Sequence, residues 1–188
     1  MTLGRIMLAA LALGLFSGMA STAHAAQLDF DLSDTSARFD FRFGLTDTGL
    51  KADVGLLHHE NDGDLLYAGV LLIGDAAEGK EPFTAGLGLR LVNVDANVVD
   101  GTGLAIGGFV RYVLPDYNRF AIGVDAYISP SVTSFGDLER YFEFGIRGEY
   151  RLTKAAGFYL GLREVKGHFA VGDATIDEGV FLGISLEF

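Results

Sequence analysis

The chain has 188 residues, of which 49% are hydrophobic and 21% charged, and its formal net charge is −11 at pH 7. It contains no cysteine, which excludes disulfide bonds, zinc–thiolate sites and thiol nucleophiles. Its 25 acidic residues outnumber its 14 basic ones, which argues against nucleic acid as a partner, because phosphate binding requires a basic surface.

The N-terminal segment 1–25 has the pattern of a secretory signal peptide. Arg5 precedes the uncharged apolar stretch 6–16, and Ala23-His24-Ala25 forms a small-residue cleavage site. We predict cleavage after Ala25, and therefore an exported protein whose mature part is 26–188. A single transmembrane anchor is the weaker alternative, since the apolar stretch is short and no stop-transfer charges follow it.

The mature part is too regularly interrupted by charges to contain a membrane-spanning helix. Its longest stretch without Asp, Glu, Lys or Arg is 126–136, well short of the roughly 20 residues that such a helix needs. The closed β-barrel is the other architecture that satisfies every backbone group in a bilayer. Its signature is a weak alternation of apolar and polar residues over segments of about ten residues.

Such alternation is complete in several segments of the mature chain. In 37–45, the odd positions from 39 onward hold phenylalanine or leucine, whereas Arg38, Asp40 and Arg42 occupy even positions. The same separation of faces recurs in 83–91, 104–112, 120–128, 142–152 and 180–188. We predict that the apolar faces contact lipid and that the charged faces line a barrel lumen.

Two features favour a membrane barrel over a soluble periplasmic lipocalin-like binder, which would also alternate. Glycine weakens a strand and is kept where space is tight, as it is inside a narrow barrel. Glycines on the charged faces of the predicted strands are Gly44, Gly86, Gly88, Gly107, Gly123, Gly145, Gly161 and Gly183. The chain also ends at Phe188 with apolar residues at alternate positions, which resembles the C-terminal insertion signal of outer-membrane proteins.

Ten strands account for the mature chain, with eight as the alternative. The predicted strands are 27–32, 37–45, 50–58, 65–73, 83–94, 102–113, 119–128, 139–152, 157–165 and 179–188. External connections are then expected at 59–64, 95–101, 129–138 and 166–178, and periplasmic ones at 46–49, 74–82, 114–118 and 153–156. An aromatic girdle is expected at the periplasmic ends, from Phe43, Tyr112, Phe120, Tyr150, Phe158 and Phe188.

Several sequence blocks carry a resemblance to a known family. They are the run 55–64 with its His58-His59 pair before an acidic turn, and the blocks 82–88, 108–112 and 134–137. In these blocks the chain resembles the YfaZ family of predicted outer-membrane proteins, over most of its mature length. The resemblance implies an outer-membrane location and brings no assigned reaction or ligand.

The charged faces predict a lumen network of nearly balanced sign, because buried charges must be paired. Its predicted members are Arg38, Asp40, Arg42, Arg90, Arg111, Asp125, Glu143, Arg147, Glu149, Arg151, Arg163 and Glu187, with Lys51 and Asp53 on the same face. We interpret it as a structural filling of a small barrel, and leave open a narrow gated pore whose selectivity these charges would set.

Catalysis and metal binding are the competing hypotheses for the external ends. An outer-membrane lipid hydrolase or acyltransferase would need a serine beside a base such as His58, His59 or His168, but no spacing motif links them. The weak metal candidates are His58, His59, Glu60, Asp62 and Asp64, with Asp173, Asp177 and Glu178 in another loop. We therefore expect no catalytic residues, cofactor or metal. The expected partners are outer-membrane lipid, lipopolysaccharide and the barrel-assembly machinery.

Overall fold

The computed structural model describes residues 26–46, 49–75, 82–96 and 99–188, and the predicted signal peptide lies outside them. The described chain is almost entirely β-strand. In chain order the strands are β1 Ala26–Leu32, β2 Ser36–Gly44, β3 Leu50–His59, β4 Gly63–Asp75, β5 Phe83–Ala96, β6 Val99–Val113, β7 Phe120–Ser129, β8 Ser134–Gly136, β9 Leu138–Arg151, β10 Ala156–Phe169 and β11 Gly172–Glu187. No helix in these ranges is long and apolar enough to cross a membrane.

Ten of these strands form a closed antiparallel barrel, so the ten-strand prediction is confirmed and the eight-strand alternative is wrong. Neighbouring strands pair in chain order from β1 to β7 and then from β9 to β11. The pairing of β7 with β9 joins these two series, and the pairing of β1 with β11 closes the ring. The short strand β8 instead adds to β6 above the point where β7 ends. Because the barrel is closed, no long strand in the described ranges has an unpaired edge. A strand that spans a bilayer needs this pairing, since lipid cannot hydrogen-bond to its backbone groups.

The predicted alternation sets which face each side chain occupies. In β11, Val180, Leu182 and Ile184 are exposed on the outer surface, whereas Phe181 is buried inside the barrel. Several residues of the predicted periplasmic girdle contact other aromatic rings. Tyr112 lies 4.6 Å between ring centroids from Phe83, which was not among the predicted members, and Phe120 lies 4.9 Å from Tyr150. Both ends of the described chain lie at this end of the barrel. The terms periplasmic and external follow the orientation that the sequence predicts.

The external connections are shorter than the sequence predicted. The predicted loop 166–178 is wrong, because β10 and β11 continue through it and are joined by a turn at 170–171. The predicted loop 95–101 is likewise mostly strand, since β5 reaches Ala96 and β6 starts at Val99. In these extensions the outward positions of β10 hold the polar residues Lys166 and His168, which places them beyond the lipid-facing part of the barrel. The hydrophobicity pattern therefore fades although the hydrogen-bond ladder continues.

A β-bulge in the β10–β11 hairpin changes which residues point inward. The register shifts between Val165 and Lys166, and Ile176 is left opposite no partner. As a result both Ile176 and Asp177 are buried, and the inward positions of β11 change from odd to even above the bulge. Bulges commonly redirect side chains in this way.

The lumen also contains a hydrophobic core that the sequence analysis did not assign. Leu57, Leu65, Val92, Val94 and Ile176 have no exposed surface and face the interior near the external ends of their strands. Further members of this cluster are Tyr67, Leu71, Ala96, Ala105, Tyr127, Leu138, Tyr141, Val165 and Phe169. We call it the apolar plug. Most of its members lie in the external half of the barrel, whereas Leu71 pairs with Lys51 near the other end.

Inward glycines make room for aromatic rings that lie across the lumen. A Cβ atom built on Gly55 would lie 2.3 Å from Cζ of Tyr67, and one on Gly183 would lie 2.3 Å from Cζ of Tyr159. The glycine-rich inner face therefore has a steric cause, which is the close approach of a neighbouring ring to the backbone.

Candidate functional site in the barrel lumen

Glu143 on β9 is the centre of the upper charged layer, directly below the apolar plug. Its side chain is fully buried and accepts hydrogen bonds from Arg38 Nη1 at 2.7 Å and from the Tyr141 hydroxyl at 2.6 Å. Arg90 Nη1 lies 3.5 Å from its other oxygen. Because β2 and β5 supply the two arginines, this carboxylate joins strands that are far apart around the barrel wall.

Arg90 is held on three sides. Its guanidinium contacts Asp53 at 2.7 Å. Its carbon Cζ lies 4.2 Å from the Tyr67 ring centroid and 3.7 Å from that of Tyr127. A cation between two aromatic rings and beside carboxylates is stabilised by both kinds of contact.

Arg163 on β10, the strand next to β9, forms a second buried group. Its Nη1 donates to Asp31 at 2.9 Å and its Nε to Asp177 at 2.7 Å, while the Tyr159 hydroxyl also donates to Asp31. Asp177 was expected in an external loop as a weak metal candidate. That placement is wrong, because the bulge turns this carboxylate inward onto Arg163.

A third layer lies nearer the periplasmic end. Arg147 contacts Asp29 at 3.3 Å and Glu149 at 2.9 Å, and Arg111 contacts Glu149 at 2.6 Å. Asp29 and Asp31 were absent from the predicted network, although the alternation of β1 places both on the charged face. The sequence therefore indicated both residues as inward, but the alternation in β1 extends over only seven residues.

Other predicted lumen residues line a cavity without a partner of opposite charge. Among the described residues no ion pair involves Arg42, Asp125, Arg151 or Glu187; Arg42 stacks on Phe109 instead, with Cζ 5.0 Å from the ring centroid. Asp40 contacts Arg38 at 2.8 Å and lines the same cavity. The cavity has a volume of about 320 Å³ and lies between the charged layers and the periplasmic mouth.

The external histidines do not converge. His58 is exposed on the outer face and lies 2.5 Å from Asp64, whereas His59 is buried and its Nδ1 accepts hydrogen bonds from the backbone N–H groups of Asn61 and Asp62. Successive strand residues face opposite sides, which separates the two rings. Within the described ranges no group of three or more His, Asp or Glu side chains has a geometry suited to a metal ion, and Glu60 is exposed.

Phe188 lies at the seam where the barrel closes. Its carbonyl oxygen accepts a hydrogen bond of 2.7 Å from the Ala26 N–H, and its own N–H donates to Ala26 at 2.9 Å. The ring faces outward and stacks on Phe41, with 6.5 Å between centroids.

Comparison with known proteins supplies a family. A family model described as "YfaZ precursor" matches residues 3–188. No curated protein matches the chain. The structure of the KdgM porin is similar with a TM-score of 0.47 and 12% identity, covering 87% of this chain and 99% of that one. The outer membrane channel DcaP of Acinetobacter baumannii gives a TM-score of 0.45 and 14% identity, covering 90% of this chain and 55% of that one.

Proposed function

Because the chain belongs to the YfaZ family and closes into a ten-stranded barrel, we propose that it is an outer-membrane protein of structural or interaction type whose lumen is closed. The proposal includes export by a signal peptide cleaved after Ala25. N-terminal sequencing of the protein from isolated outer membranes tests that cleavage, with Ala26 expected as the first residue.

The outer surface supports residence in a bilayer. Large apolar side chains face outward on every barrel strand, and Leu87, Ile106, Leu160 and Leu182 each expose more than half of their surface. Exposed apolar patches of this extent are not found on soluble monomers. Moving such a side chain from water into lipid is worth roughly 1.5–3 kcal/mol.

The observation that carries the closed-lumen proposal is the apolar plug. Ions that cross this half of the barrel would lose water without gaining polar partners, which costs several kcal/mol for each charge. Small barrels are commonly filled by their own side chains in this way. A narrow gated pore is the alternative, and it would require the plug to rearrange.

Solute uptake into proteoliposomes tests the proposal. Vesicles containing the refolded barrel should take up small sugars and amino acids no faster than empty vesicles. Heat-modifiable migration on a gel would verify in the same samples that the barrel is folded. Rapid uptake by folded wild-type protein would contradict the closed lumen and favour the pore.

The proposal includes no enzymatic role. Among the described residues no serine hydroxyl is hydrogen-bonded to His58, His59 or His168. His58 and His168 contact Asp64 and Asp173 at 2.5 and 2.6 Å, both pairs in solvent-exposed positions. A lipid hydrolase or acyltransferase would need an oriented serine at one of these rings. Incubating the folded protein with phospholipid and lipopolysaccharide should release no fatty acid, and release that depends on His58, His59 or His168 would contradict the proposal.

The proposed partners are outer-membrane lipid, lipopolysaccharide and the barrel-assembly machinery. The exposed ring of Phe188 at the closing seam supports the last of these, because an assembly factor could contact it before β1 and β11 pair. Phe188→Ala should lower the amount of protein that reaches the outer membrane. Unchanged amounts in cell fractions would contradict that role.

A further inference from the structure

The cavity below the charged layers opens toward the periplasm. Its lining includes Gln27 and Glu187 at the ends of β1 and β11, Lys51 at the start of β3, and Lys154 in the turn between β9 and β10. All of these positions lie at the end of the barrel that carries Ala26 and Phe188. The apolar plug closes the other end, so a ligand could enter only from this mouth.

The mouth of this cavity is rich in cations. Its lining at the periplasmic strand ends includes Arg42, Lys51, Arg111, Arg151 and Lys154, against the carboxylates Glu149 and Glu187. Glu149 is already shared between Arg111 and Arg147.

Most of these cations have no carboxylate partner. Among the described residues no ion pair involves Arg42, Lys51, Arg151 or Lys154, whereas the deeper arginines Arg38, Arg90 and Arg163 are all paired. The deeper arginines are therefore neutralised and positive charge is concentrated at the entrance, although the cavity wall also holds Asp125, which has no ion pair among the described residues. Low-dielectric walls around such an entrance focus its field on an incoming anion.

The volume of the cavity limits the ligand. About 320 Å³ is at the lower end of the range of small-molecule sites, which begins near 300 Å³. Guanidinium groups bind carboxylate and phosphate groups in a bidentate manner, and Arg42 is already oriented by its stacking on Phe109.

From these observations we propose that the cavity is a binding site for a small multivalent oxyanion, with phosphate or carboxylate groups, that enters from the periplasm. Arg42, Lys51 and Arg151 would contact its charged groups, and Lys154 would close the entrance. The proposal adds a ligand to a barrel that remains closed toward the outside. Entry from the periplasm rests on the proposed closed lumen, whereas binding of the anion in the cavity does not.

Isothermal titration calorimetry on the refolded mature barrel in a zwitterionic detergent tests this site. Pyrophosphate and citrate are the probes, and glucose is the uncharged control. We expect saturable binding of one or both anions, weaker at high salt because exposed charges are screened, and no binding of glucose. Adding phosphatidylglycerol to the micelles distinguishes a free anion from a lipid headgroup: displacement of the probes would overturn the assignment to a soluble anion.

Two double variants with the same change in net charge locate the site. Arg42→Gln with Lys51→Gln should weaken anion binding about tenfold or more. Arg119→Gln with Arg140→Gln removes two exposed cations outside the cavity and should leave the affinity within about twofold.

The outcomes decide the proposal because gel migration reports folding of each variant. Equal weakening in both double variants would assign the binding to overall charge and overturn the site. No binding of either anion by folded wild-type protein would show that the cavity holds water only, and would overturn it as well. Conductance measurements address the closed lumen separately.

Discussion

The two halves of the lumen are filled by different kinds of side chain, apolar in one and charged in the other. The external half is filled by the apolar plug, where Leu57, Leu65 and Ile176 have no exposed surface. The periplasmic half holds paired charges such as Arg147 with Asp29, and a cavity of about 320 Å³. An apolar filling needs no partners, whereas every buried charge needs one. The comparison supports the proposal that the plug closes the barrel, and the charged layers connect strands on different parts of the barrel wall.

Removing Glu143 should have the largest effect on the charged half. Glu143→Ala leaves Arg38 and Arg90 without their shared carboxylate, and breaking a buried pair in this way costs about 3–5 kcal/mol. Urea unfolding of the refolded barrel, followed by circular dichroism, measures the loss. Glu139→Ala, at an exposed position on the same strand, is the control and should change little. Equal midpoints for the two variants would contradict the role of Glu143.

Truncating the apolar plug should have the next largest effect. Leu57→Ala opens a cavity among fully buried side chains and should cost about 2–5 kcal/mol in the same unfolding experiment. The adjacent Leu56 faces lipid, where acyl chains can fill the space that Leu56→Ala leaves. A Leu56→Ala loss as large as that of Leu57→Ala would show that the two faces are wrongly assigned.

Adding a methyl group at an inward glycine should destabilise the barrel wall, because a neighbouring aromatic ring lies against the backbone there. Gly183→Ala brings a methyl group to within 2.3 Å of the Tyr159 ring and should cost about 1–3 kcal/mol. Tyr159→Leu should restore part of that stability by removing the clash. Gly148→Ala is the control, because its nearest neighbour lies 4.0 Å away. A wild-type unfolding midpoint for Gly183→Ala would contradict the steric explanation for the glycine-rich lumen.

The smallest effect is expected outside the lumen. His58 and Asp64 are 2.5 Å apart but largely solvent-exposed, and such surface pairs are worth about 0.2–1 kcal/mol. His58→Ala should therefore shift the urea midpoint only slightly. A loss comparable to that of Glu143→Ala would mean that the external rim contributes to stability as much as the lumen does.

Alternation in the sequence was enough to predict the barrel and the position of every one of its ten strands. Lipid imposes that pattern, since each outward residue between the interfaces must be apolar. The segment 37–45, with phenylalanines opposite Arg38, Asp40 and Arg42, is the clearest case, and β2 occupies Ser36–Gly44. The pattern could not predict the strand ends at Phe169 and Gly172, because lipid no longer selects residues there.

The apolar plug was missed because apolar residues were assigned to lipid, although Val92 and Val94 continue the inward positions of Gly88 and Arg90. Leu56-Leu57 and Leu65-Leu66 place leucine on both faces, so the inward one is not distinguishable from sequence. The bulge at Val165 and Lys166 breaks the period altogether and brings Ile176 inside.

The contacts inside the charged half were also beyond the sequence pattern. A contact such as that between Arg38 and Glu143 depends on the distance across the closed barrel. Alternation predicts which face a residue occupies, and it does not predict which strands lie opposite each other.

Single-channel recording in planar bilayers tests the central claim most directly. The folded wild-type barrel should show no channel events at any applied voltage. The double variant Leu57→Ala with Leu65→Ala, which thins the apolar plug, should show them, whereas Leu56→Ala with Leu66→Ala on the lipid face should not. Discrete, reproducible openings by the wild-type protein would contradict the claim that the external half of the lumen is closed.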